Sequence, residues 1–157
     1  MPGSGKSTLG AKFAGLRSIT FRDTDELIKE RTGVKIVDFW RANGEFYFRS
    51  MERMIFLELL NEPPCIIATG GGLPVFMENM SIIESQNSIF FECEPQKLLT
   101  RMLADRRAIF LHNAPDLLKV TNLLNTRYSF YSRARHRLDT GQSIDVCLNN
   151  LNAEFIV

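Results

Sequence analysis

The first eight residues, MPGSGKST, contain the residue types that bind phosphate groups. Glycines let backbone N–H groups surround a phosphate, a lysine can reach the terminal phosphates of a nucleotide, and a serine hydroxyl can ligate magnesium. Gly5, Lys6 and Ser7 match the end of the G-x-x-x-x-G-K-[ST] phosphate-binding motif, whose first glycine would fall one position before Met1. A chance glycine turn ahead of a helix is the alternative interpretation, so the rest of the chain must decide between them.

Two carboxylates, Asp23 and Asp25, lie two residues apart at the end of a predicted strand, so their side chains should project to the same side of the sheet. Ligands bind beyond the strand ends of open α/β sheets. One carboxylate could hold magnesium through water, and the other could accept the proton of a substrate hydroxyl or orient that hydroxyl. The alternative is a solvated turn in which Asp25 only caps the following helix.

Arginines and a glycine run complete the set of candidate residues. Arg49, Arg107 and Arg127 could form bidentate pairs with a carboxylate or a phosphate, which indicates an anionic substrate if they converge. Each one alone is better explained as a solvated surface charge, so the indication depends on the three together. The TGGG sequence at 69–72 follows an apolar run and would let a ligand approach the backbone closely, although a tight strand-to-helix corner would also use glycines.

The elements that must position these residues alternate between helix and strand. The apolar patterns predict strands at 18–21, 65–68, 88–93 and 136–140. They predict helices at 6–16, 26–31, 35–42, 45–60, 76–85, 95–103, 116–134 and from 143. The continuous CIIA run at 65–68 is typical of a strand buried on both faces of a parallel sheet. This alternation predicts an α/β domain with a parallel sheet flanked by helices.

Composition limits the classes of function. The chain has 157 residues, is 45% apolar and has a formal net charge of +1, which favours one domain with a small-molecule partner over nucleic acid or an anionic membrane. Its three cysteines are widely spaced and predict free thiols in a reducing compartment, so we expect a cytoplasmic protein. No apolar run predicts a membrane span or a leader. His112 and His136 have no partner at metal-ligand spacing.

Six segments, taken in order, closely resemble shikimate kinase. They are GSGKST (3–8), DTD (23–25), GEFYFRSME (44–52), ATGGG (68–72), the arginine-containing loop 101–107 and NTRYSFYSRA (125–134). The resemblance covers residues 1 to about 140, and DxD, GExxFRxxE and TGGG together are more specific than the phosphate loop. It implies a three-layer P-loop kinase fold similar to nucleoside monophosphate kinases. It also implies phosphorylation of the 3-hydroxyl of shikimate by ATP with Mg²⁺, a step in aromatic amino acid synthesis.

The resemblance implies a role for each matching residue. The ATP site would comprise Gly3, Ser4, Gly5, Lys6, Ser7, Thr8, Arg101 and Arg107. Ser7 would ligate magnesium directly, and Asp23 would ligate it through water. The shikimate site would comprise Asp25, Trp40, Phe48, Arg49, Glu52, Gly70, Gly71, Gly72 and Arg127. In this assignment Arg49 and Arg127 clamp the substrate carboxylate, and the catalytic residues are Lys6, Asp25 and Arg107.

The sequence departs from the family pattern in three places. Ala108 follows Arg107 where the family usually has proline, so either Arg106 or Arg107 could be the arginine of the lid, about residues 104–116. No arginine follows Arg137, so adenine contacts in that region stay unassigned. The strand ahead of a phosphate loop is a central one, and we expect the sheet to lack it, with Met1 an internal methionine of a longer protein.

The expected protein is therefore a single domain over residues 1–157, with a helical substrate region at about 25–60, acting as a monomer. Two other functions stay open on the sequence. A gluconokinase-like enzyme would share the phosphate loop but needs a different acidic and histidine pattern after the second strand. An inactive nucleotide-binding remnant is favoured by the incomplete phosphate motif.

Overall fold

Short strands and helices alternate along the chain, as expected for an α/β fold. The computed structural model describes residues 1–105 and 115–155. The strands in these ranges are β1 Thr20–Asp23, β2 Cys65–Ala68, β3 Ile89–Glu92 and β4 His136–Asp139. The helices are α1 Lys6–Arg17, α2 Thr24–Thr32, α3 Ile36–Leu59, α4 Asn79–Ser85, α5 Pro95–Asp105, α6 Leu117–Tyr131 and α7 Ile144–Glu154, with a 3-10 turn at Leu73–Val75.

Side-chain caps fix where several helices begin. The Asp23 carboxylate accepts a hydrogen bond from the backbone N–H of Asp25 at 3.0 Å, so Asp23 is the N-cap of α2. The prediction that Asp25 caps this helix was wrong, because the helix begins at Thr24 and Asp25 already belongs to its first turn. Asp25 is consequently presented to the cleft at the end of β1.

A glycine divides the long helix α3 at the predicted position. Gly44 has φ 78° and ψ 170°, which is not helical and lies in the positive-φ region that glycine tolerates. The chain was expected to form two helices separated near this residue, and the structure has two helical halves joined by a kink. The second half carries Arg49 and Glu52 on its buried side.

The sheet consists of two parallel pairs. β1 pairs with β2, with Asp23 opposite Ala68, and β3 pairs with β4, with Glu92 opposite Asp139. Among the described residues no ladder joins the pairs, and β2 and β3 instead border a cavity of about 550 Å³. Its lining is largely apolar and includes Phe13, Phe56, Leu59, Cys65–Ala68, Ile89, Phe91 and Leu151.

The cavity explains why β2 is less buried than predicted. Of its residues, only Ala68 is fully buried, and the others are half-buried. Both faces of the strand are nevertheless covered, because Ile66 packs against residues of α1 and α7 and Ile67 packs against residues of α2 and α3; the open side of β2 is its edge towards β3. Cys65 is half-buried for the same reason, whereas Cys93 and Cys147 are buried free thiols, as expected.

Three apolar clusters join the helices to the strands. One contains residues of α1, β4 and α7, a second contains residues of β3, α5 and α6, and a third lies between α2 and α3. The carboxyl ends of the strands meet at one edge, where the Arg101 guanidinium donates hydrogen bonds to the carbonyls of Thr140 at 2.8 Å and Gly3 at 3.4 Å. None of the helices in the described part of the chain is long and apolar enough to cross a bilayer.

We expect the backbone amides of β2 and β3 that face the cavity to exchange with solvent at least about 100-fold faster than those facing β1 and β4. A backbone N–H without a ladder partner is protected only by burial, and this cavity is open. Hydrogen exchange followed by NMR would measure the amides that face the cavity and those that face β1 and β4 in one experiment. Equal protection on the two edges would show that the gap between the pairs is filled in solution.

Candidate functional site

The carboxyl ends of the strands open into a cleft of about 470 Å³ that contains most of the predicted site residues. Its lining includes Gly3, Gly5, Lys6, Ser7, Thr8, Asp23, Asp25, Arg49, Gly70, Gly71, Gly72, Arg101 and Arg127. Residues far apart in sequence thus come together at the edge where open α/β sheets bind ligands. Ser4 is buried beneath the loop and donates to the carbonyl of Met1 at 2.9 Å.

The phosphate loop has the backbone geometry that its glycines predict. Gly3 and Gly5 have φ values of 73° and 87°, and Gly5 is the N-cap residue of α1. The first N–H groups of α1 therefore face the cleft as anion donors. The Lys6 ammonium donates to the carbonyl of Met1 at 2.8 Å and to the Ser4 hydroxyl at 3.3 Å.

Lys6 is held in a buried, polar setting. Burial lowers the pKa of its ammonium, while the nearby carboxylates of Asp25 and Asp23 act in the opposite direction. The ammonium is therefore held over the loop by the Met1 carbonyl and the Ser4 hydroxyl, and the charges of Asp25 and Asp23 favour its protonated form. An anionic phosphate would add a further favourable partner.

Ser7 and Asp23 form a pair of hard oxygen ligands. The Ser7 hydroxyl donates to Asp23 Oδ2 at 2.5 Å, which places the two oxygens side by side at the start of α1 and the end of β1. Mg²⁺ prefers oxygen ligands, and in nucleotide sites it uses one or two protein groups together with phosphate oxygens and water. Ser7 and Asp23 therefore fit a magnesium ion and would be the protein groups that hold it.

Arg49 is a buried arginine enclosed by aromatic rings. Its side chain is 6% exposed, and its guanidinium carbon lies 5.2 Å from the centre of the Trp40 ring and 5.1 Å from that of Phe48. Its Nη1 donates to Glu52 Oε2 at 2.7 Å. Trp40, Phe48 and Glu52 thus hold Arg49 in place, and Arg49 itself lines the cleft.

Glu52 is a buried acid beside the site. Its side chain is fully buried, and its Oε1 has no hydrogen-bond partner among the described residues. Burial raises the pKa of Glu52 to about 7, although Arg49 acts to lower it. Its protonation state therefore changes within the physiological range.

This shift predicts how stability depends on pH. The raised pKa means that the contribution of Glu52 to stability is full below its ordinary pKa of 4.5 and is lost as the pH rises through about 7. Glutamine cannot ionise, so Glu52→Gln should not lose this contribution as the pH rises. We therefore expect the free energy of unfolding of the wild type, relative to that of the variant, to fall by about 2–4 kcal/mol between about pH 4.5 and 8. Urea denaturation across this range would measure it.

The matched control is Glu45→Gln. Glu45 also contacts Arg49, at 3.6 Å, but its side chain is 65% exposed. We expect no comparable change in that window for this variant, because an exposed carboxylate keeps its solvation. Parallel pH profiles for the wild type and Glu52→Gln would contradict the assigned protonation of Glu52.

The glycine run lets the charged groups approach the backbone. A Cβ atom at Gly70 would overlap Glu52 Oε1, and one at Gly72 would overlap the Arg49 guanidinium. The Gly70 N–H donates to the Thr24 hydroxyl at 3.1 Å and so ties this loop to the start of α2. Thr24 was not among the predicted site residues, although its place between Asp23 and Asp25 in the DTD segment indicates a position beside the site.

Other residues of the cleft were also missed. Thr140, Gln142 and Ile144 lie beside Arg101 at the turn after β4. Their position directly after a predicted strand could have indicated a place in the site, since ligands bind beyond the carboxyl ends of parallel strands. Arg107, the alternative Arg106 and most of the predicted lid lie outside the described residues, as does His112. His136 contacts Glu154 at 2.7 Å and is absent from the lining of the cleft.

Sequence comparisons connect this site with a known family. The sequence model of the shikimate kinase family matches residues 2–152. Shikimate kinase of Phocaeicola vulgatus is 33% identical over 139 residues, covering 85% of this chain and 79% of that protein. Shikimate kinase of Brucella canis is 32% identical over 139 residues, covering 88% and 70%.

A longer relative and two solved structures extend the comparison. The bifunctional shikimate kinase/3-dehydroquinate synthase of Thermotoga maritima is 30% identical over 142 residues, which cover 90% of this chain but only 28% of that protein. The shikimate kinase of Acinetobacter baumannii in complex with shikimate superposes with a TM-score of 0.89 at 26% identity, covering 98% of this chain and 88% of that one. The shikimate kinase of Bacteroides thetaiotaomicron gives 0.84 at 27% identity, covering 97% and 92%.

Proposed function

The chain belongs to the shikimate kinase family, and we infer that it transfers the γ-phosphoryl group of ATP to the 3-hydroxyl of shikimate. One observation supports this function above all others. A single cleft is lined by the phosphate loop, by the Ser7–Asp23 pair, by Asp25 and by the arginines Arg49 and Arg127. An anionic, hydroxylated substrate and a nucleotide could therefore meet within one site.

The phosphate loop would position the nucleotide. The N–H groups at the start of α1 would bind phosphate oxygens, and the Lys6 ammonium would exchange its contact with the Met1 carbonyl for the terminal phosphates. Ser7 and Asp23 are the residues that would hold magnesium. When bound, this ion neutralises the charge that develops on the transferred phosphoryl group.

The arginines would bind the acid end of the substrate. A carboxylate is recognised by planar guanidinium groups through paired hydrogen bonds. Because Arg49 is fixed by the Trp40 and Phe48 rings and by Glu52, its geometry is set before the substrate binds. Arg127 enters the cleft from α6, and the backbone at Gly71 lies beside it.

Asp25 would act on the reacting hydroxyl. Its carboxylate lies near Lys6, as the effect of its charge on the lysine ammonium shows. We propose that it accepts a hydrogen bond from the 3-hydroxyl, orients that oxygen for in-line attack and takes its proton as the phosphorus–oxygen bond forms. Excluding water from the site would prevent hydrolysis of ATP, and residues 104–116 with Arg107 are proposed to do this as a lid.

The nucleoside end of ATP, the domain organisation and the oligomeric state complete the proposal. We propose that the nucleoside end lies beside Arg101, Thr140 and Gln142, on the other side of the phosphate loop. We also propose that residues 1–157 form one domain, that about 25–60 bind the substrate, and that the protein acts as a cytoplasmic monomer. Its free thiols are consistent with a reducing compartment.

A coupled assay of ADP release separates the proposed function from the two alternatives. With Mg²⁺ and ATP, we expect ADP release that depends on shikimate and no release with gluconate. A gluconokinase-like enzyme would show the opposite preference. A nucleotide-binding remnant would bind ATP without releasing ADP in the presence of either compound, and this result would overturn the proposal.

A further inference from the structure

Tyr131 connects two parts of the cleft without lining it. Its hydroxyl donates to the carbonyl of Gly71 at 2.5 Å, which joins the last residue of α6 to the loop after β2. The residue is 6% exposed, and its ring lies 5.2 Å from the ring of Phe90 on β3. The phenol is therefore fixed by core packing, and its polar end is the part that reaches the site.

The same hydroxyl also contacts Arg127. These residues are four apart on α6, so their side chains lie on one face of the helix. A Cβ atom at Gly71 would lie 3.3 Å from both Arg127 Nη1 and the Tyr131 hydroxyl, which shows how close the three groups are. Burial raises the pKa of the Tyr131 hydroxyl, and the neighbouring Arg127 guanidinium acts to lower it. A phenol can accept one hydrogen bond while donating another, so it can join a guanidinium to a carbonyl.

We propose that Tyr131 is a positioning residue that holds the Arg127 guanidinium and the Gly71 backbone in a fixed relation, so that the substrate subsite is assembled before shikimate binds. The inference rests on the proposed function of Arg127 and Gly71 as substrate contacts. Tyr131 acts through these groups and takes no part in proton or phosphoryl transfer.

A positioning role makes a specific kinetic prediction. Without the hydroxyl, the Gly71 carbonyl loses its donor and Arg127 loses a polar neighbour, while the ring can still pack against Phe90. The loop and the guanidinium would then have to be ordered by the substrate itself, which weakens substrate binding. The ATP subsite, built from residues 3–8, does not depend on this connection.

The test is Tyr131→Phe, with Tyr128→Phe as the matched control. We expect Tyr131→Phe to raise the KM for shikimate about tenfold, with the KM for ATP and kcat changed less than about threefold. Tyr128 lies on the same helix and its ring also contacts Phe90, but its hydroxyl accepts from Arg137 at 3.3 Å. Tyr128→Phe should leave all three parameters within about twofold of the wild type.

A second variant keeps the proposal testable if Tyr131→Phe folds poorly. The backbone at Gly71 does not have a positive φ, so alanine is tolerated there, but its methyl group would press on Arg127 and Tyr131 by a few tenths of an ångström. We expect Gly71→Ala to raise the KM for shikimate selectively as well. In an Arg127→Ala, Tyr131→Phe double mutant the rise in the KM for shikimate should be smaller than the product of the two single effects, because part of the effect of Tyr131 acts through Arg127.

Two failures can be distinguished. A wild type without shikimate-dependent activity would contradict the proposed function. An active wild type whose Tyr131→Phe variant keeps the KM for shikimate, or loses affinity for shikimate and ATP equally, would overturn the role of Tyr131.

Discussion

Asp25→Asn is expected to lower kcat about 10³-fold while leaving the KM for ATP nearly unchanged. Asparagine has the size of aspartate and can still contact a hydroxyl, but it cannot take the proton that the substrate oxygen loses during phosphoryl transfer. The helix start does not depend on this side chain, because Asp23 is the N-cap. The effect should therefore fall on catalysis and leave folding intact.

Steady-state kinetics with shikimate and ATP varied in turn would measure this effect. Glu30→Gln is the control, since Glu30 lies on the same helix, is exposed, and is absent from the lining of the cleft. It removes one negative charge at a similar place in the sequence, and we expect kcat within about twofold of the wild type. An Asp25→Asn enzyme that retained more than about a tenth of wild-type kcat would exclude Asp25 as the base.

Arg49→Met is expected to damage both substrate binding and stability. The variant removes one half of the carboxylate clamp, so the KM for shikimate should rise about 100-fold. It also leaves the Glu52 carboxylate buried without its cation, which should lower the free energy of unfolding by about 3–5 kcal/mol at about pH 8. At about pH 5 the loss should be smaller, because the raised pKa lets Glu52 become neutral.

Chemical denaturation at the two pH values and shikimate kinetics would test these expectations together. The control is Arg31→Met, which breaks the ion pair of Arg31 with Glu58, 2.6 Å long and exposed on both sides. An exposed pair of this kind contributes little, so the control should change neither stability nor the KM for shikimate noticeably. An Arg49→Met protein as stable as the control at the higher pH would contradict the buried pairing of Arg49 with Glu52.

The sequence indicated which residue types line the cleft better than it indicated the contacts that hold them in place. Glycine, lysine and serine in the phosphate loop, and aspartates after a strand, carry their chemistry in residue type and spacing, so they could be assigned directly. The grouping of Arg49 with Trp40 and Phe48 depends on how the two halves of α3 pack about the kink at Gly44, which no local pattern records. Long-range contacts such as the bond from Tyr131 to Gly71 were missed for the same reason.

The differences between the predicted and the observed fold also have physical causes. An apolar run such as CIIA indicates a strand but does not report which strand lies beside it in the sheet, and a cavity at the edge of β2 leaves three of its four residues only half-buried. Asp25 was a candidate cap in the alternative interpretation because aspartate is common at helix starts, but Asp23, two residues earlier, is the residue that caps α2. Where two neighbouring residues are equally good caps, only the backbone geometry decides between them.

The identity of the product tests the central claim most directly. The protein would be incubated with shikimate, ATP and Mg²⁺, and the product examined by phosphorus–proton correlation NMR. The account predicts one new phosphate monoester, with phosphorus coupled to the proton on carbon 3 of the shikimate ring, and its loss in Asp25→Asn at equal enzyme concentration. Phosphorus on another carbon, or ADP formed with inorganic phosphate and unchanged shikimate, would contradict it.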